Sequence, residues 1–302
     1  MTPPPHDPHL AVFSTERRAL LSLAYRMLGS LSDAEDVVQD AFVRWRDVEL
    51  ARVDSPPAWL RTTVTRLCLD AMKSARTRRE SYVGEWLPEP VRTDVGAFAD
   101  EQSRADPESI SMAFLVVLDS LSPLERAAWL LHDVFEYDHT EVAHALDRTE
   151  ASARQLIHRA REHIASRRPR FARSREEHTR LVGAFMSACG GGDVMALQRL
   201  LADDVVVWSD GGGRVSAAIK PVRGPDHVSR LLLGLVRKGA TDATIDVVDI
   251  NGWPGIVIRR GAVIDSVTTL EFDGELLATM HIVRNPDKLA RFDAELSTAS
   301  AR

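Results

Sequence analysis

The sequence predicts a multidomain protein in which two all-α domains precede an α+β domain with a curved mixed sheet. The length of 302 residues corresponds to about two domains at roughly 150 residues each. Apolar residues recur at three- and four-residue spacing through the first half of the chain, whereas β-rich runs dominate after residue 204. Hydrophobic residues make up 44% and charged residues 27%, which excludes a wholly disordered, collagenous or coiled-coil chain.

The first predicted domain, residues 10–79, consists of helices. One apolar stripe ends at Gly29 and is formed by Ala19, Leu20, Leu23, Ala24 and Met27. Ser32 is predicted to cap the following helix, Asp33–Arg46, with a glutamate three residues further on completing a capping box. After a loop with two prolines, a further helix is predicted over Ala58–Arg78.

An acidic segment, residues 80–107, is predicted to be a linker. Between Glu80 and Glu108, eight acidic residues face only two arginines, which gives a local charge of −6. Three prolines in the same stretch disfavour regular secondary structure.

The second predicted domain, residues 108–170, has the pattern of a helix-turn-helix. A helix over Leu124–Phe135 is followed by a short helix, Thr140–Leu146, and a longer basic helix, Thr149–Ser166. The turn at Asp147-Arg148 lacks the glycine often found there. The prediction therefore depends on helix lengths, apolar positions and charge.

The third predicted domain, residues 174–302, combines helices with strands. The predicted helices are Arg175–Cys189, a helix to Leu201 capped by Asp193, and Pro225–Lys238. The predicted strands are Val205–Trp208, Val215–Ile219, Thr244–Ile250, Ile256–Arg259, Val263–Phe272 and Leu276–Val283. Asp273-Gly274 is predicted to form a hairpin, and the run Asp210-Gly-Gly-Gly-Arg214 a tight turn between strands.

Basic residues concentrate in two stretches although the net charge is −6. The local charge is +5 from Arg61 to Arg79 and +6 from Arg148 to Arg173. Two basic stripes on either side of an acidic linker suit a polyanion that is bound at two places. On charge alone, solvated helix faces remain the alternative.

The helix Thr149–Ser166 carries residue types that bind DNA. Arginine and glutamine can hydrogen-bond base edges in a bidentate manner, and serine, threonine and arginine can hold phosphates. The candidates near its N-terminal half are Thr149, Ser152, Arg154, Gln155, His158 and Arg159. An arginine-rich surface helix is the alternative.

Several classes of protein and site are disfavoured. The start, MTPPPHDPHL, lacks the features of a signal peptide, and no apolar run approaches the length of a membrane helix, so we expect a cytoplasmic protein without a membrane partner. Cys68 and Cys189 are too few and too far apart for a disulfide scaffold or a zinc site. His139 and His144 are five residues apart and lie on diverging helix faces, so neither a metal nor a cofactor is predicted.

Three stretches carry a family resemblance. The run Asp33-Ala-Glu-Asp-Val-Val-Gln-Asp-Ala-Phe-Val-Arg-Trp45 resembles the conserved-region-2 helix of bacterial extracytoplasmic-function (ECF, group IV) RNA polymerase sigma factors. Trp59-Leu60 through Asp70 resembles the promoter-melting helix of that family, and Leu121-Ser-Pro-Leu-Glu-Arg126 through Glu162 resembles its region 4.

Three further motifs resemble the SigJ-like branch of the family, which has a fused C-terminal SnoaL-like (nuclear-transport-factor-like) domain. They are Trp86-Leu-Pro-Glu-Pro90, Asp210-Gly-Gly-Gly-Arg214 and Asn285-Pro-Asp-Lys-Leu289. The resemblance extends from about Phe13 to Leu289.

The resemblance implies that the chain binds core RNA polymerase, through its β′ clamp and β flap, and promoter DNA. The residues implied to dock on the β′ clamp helices are Asp33, Glu35, Asp36, Gln39 and Asp40. The residues implied to bind the minus-10 element, with a base flipped from the non-template strand, are Arg52, Asp54, Ser55, Arg61, Arg66 and Lys73. Many family members have asparagine at the position of Arg66. The six candidates of the basic helix would bind the minus-35 element.

The resemblance also implies that a SnoaL-like cone packs on the sigma domains and modulates their activity in cis. The residues implied in these regulatory contacts are Trp86, Leu87, Pro88, Asp210, Arg214, Asn285, Pro286, Asp287 and Lys288. The sequence thus predicts a transcription initiation factor without catalytic residues or enzymatic activity.

Two alternatives stay open at this stage. One is a DNA-binding regulator that never contacts polymerase. The other is a C-terminal domain that binds or converts a small hydrophobic metabolite in a pocket, although ordinary core or rim positions are the simpler explanation for each candidate residue. The candidates for that pocket are Trp208, Asp210, His227, Asp265 and His281.

Overall fold

The structure, a computed structural model, describes residues 7–80, 82–99, 106–167, 174–239 and 243–299. The chain divides into two compact units. The helical unit comprises residues up to 80 and residues 117–167, and the C-terminal unit comprises residues 81–116 and those after 167. The acidic segment that connects the two halves of the helical unit in sequence therefore belongs to the C-terminal unit. Among the described residues, no helix has both the length and the apolar character needed to cross a membrane.

The helical unit contains the predicted helices with somewhat different bounds. Its first half consists of α1 (Pro8–Leu28), α2 (Leu31–Arg46) and α3 (Pro56–Glu80). Its second half follows α4 (Met112–Asp119) and consists of α5 (Pro123–Trp129), continued by a π-helical turn over Leu130–Val134, then α6 (His139–Leu146) and α7 (Glu150–Arg167). The apolar stripe of α1 is buried as predicted, and Gly29 ends the helix in the left-handed conformation.

The predicted cap of α2 is wrong by two residues. Ser30, with φ −125° and ψ 123°, is the residue whose side chain accepts the amide hydrogen of Asp33, and Ser32 lies inside the first turn. The reason is that the left-handed Gly29 turns the chain at once, so the helix begins early and buries Leu31.

Asp147 takes the place of a turn glycine in the helix-turn-helix. Its φ of 53° and ψ of 55° are left-handed, and its amide donates to the carbonyls of Ala143 and His144 at the end of α6. Aspartate tolerates this conformation better than most residues because its short polar side chain can hydrogen-bond locally. At the other end of α6, Asp138 and Glu141 form a capping box.

The C-terminal unit is an α+β domain with a six-stranded mixed sheet. Its strands are β1 (Leu201–Asp210), β2 (Val222–Arg223), β3 (Ala243–Ile250), β4 (Trp253–Arg260), β5 (Val263–Asp273) and β6 (Leu276–Val283), in the order β2-β1-β6-β5-β4-β3. Among the strand pairs of the described residues, only β1–β6 is parallel. Its helices are α8 (Arg175–Gly191), α9 (Val194–Gln198), α10 (Pro225–Gly239) and α11 (Pro286–Ala299). The predicted fold class, helical domains followed by an α+β domain, is confirmed.

Both faces of the sheet are covered. On one face Leu270, Phe272 and Met280 pack with residues of α8, α9 and α10. On the other face Val267 and Val283 pack with Leu87 of the acidic segment, with Met112 at the start of α4 and with residues of α11.

Four predictions for this domain differ from the structure. The helix capped by Asp193 ends at Gln198 and not at Leu201, where β1 begins. Val215–Ile219 is not a strand but an irregular segment after the glycine turn, with exposed Val215 and Ile219. Asp210-Gly-Gly-Gly-Arg214 thus forms a turn, with positive φ at Gly212 and Gly213, but it does not join two strands. The helix α11 is not among the predicted elements, because the motif Asn285–Leu289 at its start implies only a contact with the sigma domains.

Candidate polymerase, promoter and regulatory sites

The polar side chains of α2 are separated from its core face. Ala34, Val37, Val38, Ala41 and Trp45 are buried. Asp36, Gln39 and Asp40 are exposed, and Asp33 and Glu35 are half-buried. The helical period of 3.6 residues explains this separation. The five predicted polymerase-docking residues therefore lie off the buried face of the helix, and Asp36 and Asp40 are exposed.

Two arginines of α3 make contacts with other elements of the helical unit. Arg61 bonds the carboxylate of Glu16 at 3.0 and 3.3 Å, and its guanidinium lies 5.9 Å from the ring centroid of Tyr137. Arg66 donates from Nε to the carbonyl of Ala145 at 3.2 Å and from Nη2 to the carbonyl of His144 at 3.0 Å.

These two carbonyls belong to the last turn of α6, where helix carbonyls lack intrahelical donors and the helix dipole attracts cations. An α3 side chain predicted to bind promoter DNA therefore contacts the helix-turn-helix in this structure.

The other predicted minus-10 residues lie at the surface. Arg52 pairs with Glu49 at 2.7 Å and Lys73 with Asp70 at 2.8 Å, both as exposed neighbours in sequence. Such pairs contribute little to stability, so the two cations stay available to another partner. Asp54 and Ser55 are exposed at the start of α3.

The helix α7 presents its polar residues on the side opposite its core. Ala153, Leu156, Ile157, Ala160 and Ile164 are buried. The hydroxyl of Thr149 accepts the amide hydrogen of Ser152 at 3.2 Å at the helix start. Five of the predicted minus-35 residues are exposed, and Ser152 is half-buried; the exposed ones are Thr149, Arg154, Gln155, His158 and Arg159.

Asp210, at the end of β1, is a fully buried carboxylate with four hydrogen-bond donors. Oδ1 accepts from the Tyr82 hydroxyl at 2.6 Å and from the amide of Gly212 at 3.0 Å. Oδ2 accepts from the amide of Leu87 at 3.0 Å and from the Lys288 ammonium at 2.7 Å. The buried charge is thus both paired and hydrogen-bonded.

Lys288 completes this centre from α11. It is 7% exposed, donates to the carbonyl of Leu87, and places its ammonium 4.2 Å from the ring centroid of Trp86. Burial, followed by the hydrogen bond to Asp210, raises the pKa of the Tyr82 hydroxyl, so it stays protonated and donates. We call Tyr82, Leu87, Asp210 and Lys288 the linker clamp.

The remaining predicted regulatory residues lie around the linker clamp. Asn285 donates from Nδ2 to the Tyr82 hydroxyl at 2.9 Å, and Gly212 packs against its side chain. Pro88 is buried, and Pro286 is exposed at the start of α11. Arg214 and Asp287 form an exposed ion pair at 3.0 Å. The three motifs, far apart in sequence, therefore meet in one place.

A second set of contacts attaches the acidic segment to the β3–β4 hairpin. Asn251 exchanges backbone and side-chain hydrogen bonds with Val91 at 3.0 and 3.2 Å, and its Nδ2 donates to the carbonyl of Ile110 at 2.9 Å. Thr93 donates its amide to the carbonyl of Asp249 at 3.2 Å and accepts at Oγ1 from Gly252 at 2.9 Å. The stretch predicted to be a linker and the residues that follow it are thus attached to the β3–β4 hairpin at Val91, Thr93 and Ile110.

The five residues considered for an acid-base pocket do not form one. Asp210 belongs to the linker clamp, and Trp208 packs on the apolar cluster beside it. His227 is exposed on α10, and Asp265 pairs with Arg260 and Arg284 at 3.3 and 3.0 Å. His281 is buried beside Glu271. Within the described residues, no group of three side chains is placed to bind a metal ion.

Comparison with known proteins assigns the chain to a family. Residues 12–78 match the model of Sigma-70 region 2, and residues 111–164 match that of Sigma-70, region 4. The ECF RNA polymerase sigma factor SigJ of Mycobacterium tuberculosis is 38% identical over 288 residues, which cover 91% of this chain and 91% of that protein. The chain belongs to the ECF sigma factor family.

Two further comparisons agree with this assignment. The probable ECF RNA polymerase sigma factor SigI of Mycobacterium tuberculosis is 30% identical over 294 residues, covering 96% of this sigma factor and 98% of SigI. The crystal structure of Mycobacterium tuberculosis SigJ superposes with a TM-score of 0.76 at 33% identity, covering 93% of this sigma factor and 98% of that chain. The similarity therefore includes the C-terminal domain as well as the sigma regions.

Sequence reasoning missed two parts of the contacts that hold the acidic segment in this sigma factor. Tyr82 gave no signal, because its partners lie 128 and 203 residues away. Asn251-Gly252 did give one, since Asn-Gly between apolar runs is a strong signal for a two-residue hairpin loop. The observed φ values of 51° and 86° agree with such a loop.

Burial of His178 on α8 makes the stability of the sigma factor depend on pH. Burial lowers the pKa of His178, whose Nε2 lies 3.0 Å from the carbonyl of Pro254. The unfolded chain binds this proton near pH 6.5, the folded chain only at lower pH. We expect the free energy of unfolding to be insensitive to this group above pH 6.5 and to fall as the pH decreases below it. Urea titrations at several pH values measure the free energy of unfolding. His178→Phe should reduce its dependence on pH below pH 6.5. An unchanged dependence would show that His178 is not the group responsible.

Proposed function

We propose that this sigma factor directs promoter-specific initiation by core RNA polymerase, docking on the β′ clamp through α2 and binding the minus-10 and minus-35 elements through α3 and α7. Region 4 would also contact the β flap. The proposal is supported by the relatives, which are named ECF RNA polymerase sigma factors over nearly their whole length.

The observation that carries the proposal is that α2 has a buried apolar face and an exposed polar face. Most of its apolar residues lie in the core of the helical unit, with Val43 exposed as an exception, whereas Asp36, Gln39 and Asp40 make up an exposed polar face. A DNA-binding protein that worked alone would gain nothing from carboxylates here, because they repel phosphate. Acidic side chains on a rigid helix suit docking to a basic protein surface, which they would steer and orient.

Replacing Asp36 and Asp40 by lysine is expected to abolish binding to core RNA polymerase while leaving binding to minus-35 DNA intact. The substitution reverses the charge of the docking face without touching α7 or the core of α2. Binding to core polymerase is measured by fluorescence anisotropy of the labelled full-length chain, and DNA binding by titration at several salt concentrations.

The matched control is Asp203→Lys with Asp246→Lys, which changes the net charge equally on exposed strand positions of the C-terminal unit. The control should bind polymerase like the parent. Equal loss in both double variants would mean that net charge, not the α2 face, governs binding, and would overturn the docking proposal.

The C-terminal unit would modulate initiation in cis through the acidic segment. That segment joins region 2 to region 4 in sequence, and the linker clamp holds the backbone of Leu87 at both its amide and its carbonyl. Any rearrangement of the two sigma regions that requires a longer free connection between them would first have to break these contacts. The domain would thus act on an equilibrium between a held and a released linker.

A further inference from the structure

Three buried polar side chains of the C-terminal unit lie together on one face of the sheet. Thr269 and Glu271 alternate along β5, and Thr269 is opposite His281 on β6. Their exposures are only 6%, 6% and 2%, respectively. Glu271 Oε2 and His281 Nδ1 are 3.3 Å apart, but within the described chain neither of these atoms, nor Thr269 Oγ1, makes a hydrogen bond. Such groups are uncommon in protein interiors because each costs free energy.

A small cavity lies directly against two of these side chains. Its volume is about 10 Å³, enough for about one water molecule. Its polar lining consists of Thr269 and Glu271, which we call the polar wall, and of Ser111 and Asn251; His178, Trp253 and Phe272 are among the rings and apolar groups around it. The His178 ring stacks on Trp253 at 5.1 Å and meets Phe272 edge-on at 5.2 Å. An aromatic enclosure with a few convergent polar atoms is the usual composition of a small-molecule site.

Residues 107–112, the segment that joins the acidic segment to α4, close this cavity. Ser111 and Met112 line it, and Met112 is 1% exposed among apolar residues of the sheet. Methionine is flexible and fills irregular space without a specific shape. The segment is held there from outside by the bond of Asn251 to Ile110 and by Gly252, on which an added Cβ would lie 2.7 Å from the carbonyl oxygen of Pro107.

We propose that this pocket is a ligand site, and that its ligand is a small molecule with a ring-sized apolar body and one hydroxyl or amino donor. The donor would satisfy Glu271 and Thr269, and the body would take the place of the Met112 side chain in the lining of the cavity. Ligand and docked segment therefore exclude each other. The binding itself is independent of the proposed function; only its consequence, release of the linker and altered initiation, rests on it.

Because the ligand and the docked segment exclude each other, each should weaken the binding of the other. A variant that loosens the segment raises the fraction of molecules with an open pocket, and the apparent affinity for the ligand rises by the same factor. Gly252→Ala is such a variant, because its methyl group collides with backbone and ring atoms of Pro107. Gly261→Ala is the matched control: it also has a positive φ in a hairpin turn, but nothing lies within 4 Å of its added Cβ.

The experiment titrates full-length chain with phenol and, as the matched compound without a donor, with toluene, using ligand-observed NMR. We expect phenol to bind Gly252→Ala about tenfold more tightly than it binds either the parent or Gly261→Ala. Toluene should bind more weakly than phenol, and Thr269→Val with Glu271→Gln should remove that difference. If Gly252→Ala does not fold, Met112→Ala, which shortens the group that fills the pocket, replaces it, with the exposed Met195→Ala as its control.

Each of three results would overturn one part of the proposal. Absence of phenol binding to the loosened variant would overturn the ligand site. Equal affinity for phenol and toluene would overturn the role of the polar wall, and equal phenol affinity in Gly252→Ala and Gly261→Ala would overturn the competition with the segment. Because no polymerase or DNA is present, these results do not depend on whether the proposed function is right. The latter is tested separately by the α2 variants.

Discussion

Replacing Lys288 by methionine is expected to lower the free energy of unfolding of the C-terminal unit by about 3 to 5 kcal/mol. Methionine keeps much of the apolar stem but removes the charge that lies 2.7 Å from Asp210. Asp210 is fully buried, so its carboxylate would lose its cation without gaining water. Native-state hydrogen exchange of amides in β1 and β6 measures the loss directly in the full-length chain.

Two control variants separate the buried pair from charge in general. Asp210→Asn in the Lys288→Met background should recover part of the loss, because a neutral amide costs less to bury than an unpaired carboxylate. Arg214→Met breaks the neighbouring pair with Asp287, whose side chains are 63% and 61% exposed, and should cost less than about 1 kcal/mol. A cost for Lys288→Met as small as that of Arg214→Met would show that the linker clamp does not stabilise the unit.

The same pair of variants tests modulation in cis. Lys288→Met removes the donor that reaches the carbonyl of Leu87, so the acidic segment should be released more often and transcription from a target promoter should change. Arg214→Met should leave it unaltered. Transcription by reconstituted polymerase that is the same with both variants would argue against control through the linker clamp.

The sequence patterns were most informative where structure is set by neighbours along the chain. The 3.6-residue period located α1, α2 and α7 and also separated their polar faces from their cores. Boundaries were less accurate, because Ser30 and Ser32 offer the same capping chemistry and only the turn at Gly29 decides between them. Val215–Ile219 has a strand-like composition, yet it follows a tight glycine turn and has no partner strand among the described residues.

Long-range contacts were not accessible in this way. Acidic residues and prolines disfavour α-helix in residues 82–99, where the structure has only the 3-10 helix Gly96–Phe98, but the same composition fits either a free linker or a segment docked on a sheet. What decides the matter is the set of partners, Asp210, Asn251 and Lys288, which lie more than a hundred residues further on. The resemblance to the SigJ-like branch indicates that the motifs containing Leu87, Asp210 and Lys288 matter. Only the structure shows that Asp210 and Lys288 form a buried ion pair and that both bond the backbone of Leu87.

The contact of Arg66 with α6 gives a second large expected effect. Arg66→Met should increase hydrogen exchange of the amides near the end of α6 about five- to thirtyfold, the equivalent of about 1 to 2 kcal/mol. The lost interactions are an exposed bond to His144 and a part-buried bond to Ala145, so both are weaker than fully buried bonds. Lys73→Met is the control, since its ammonium pairs only with Asp70 on the same helix in the described contacts.

If Arg66 also binds minus-10 DNA, it cannot hold α6 at the same time, and the two partners compete for one guanidinium. Each of Arg66→Met and Lys73→Met should then lower the slope of log affinity against log salt by about one, but only Arg66→Met should loosen α6 in the free protein. By linkage, minus-10 DNA should raise exchange at the end of α6 in the parent and have little further effect in Arg66→Met. DNA that leaves α6 exchange unchanged in the parent would mean that Arg66 stays on the helix-turn-helix, and that the basic face of α3 binds the promoter without it.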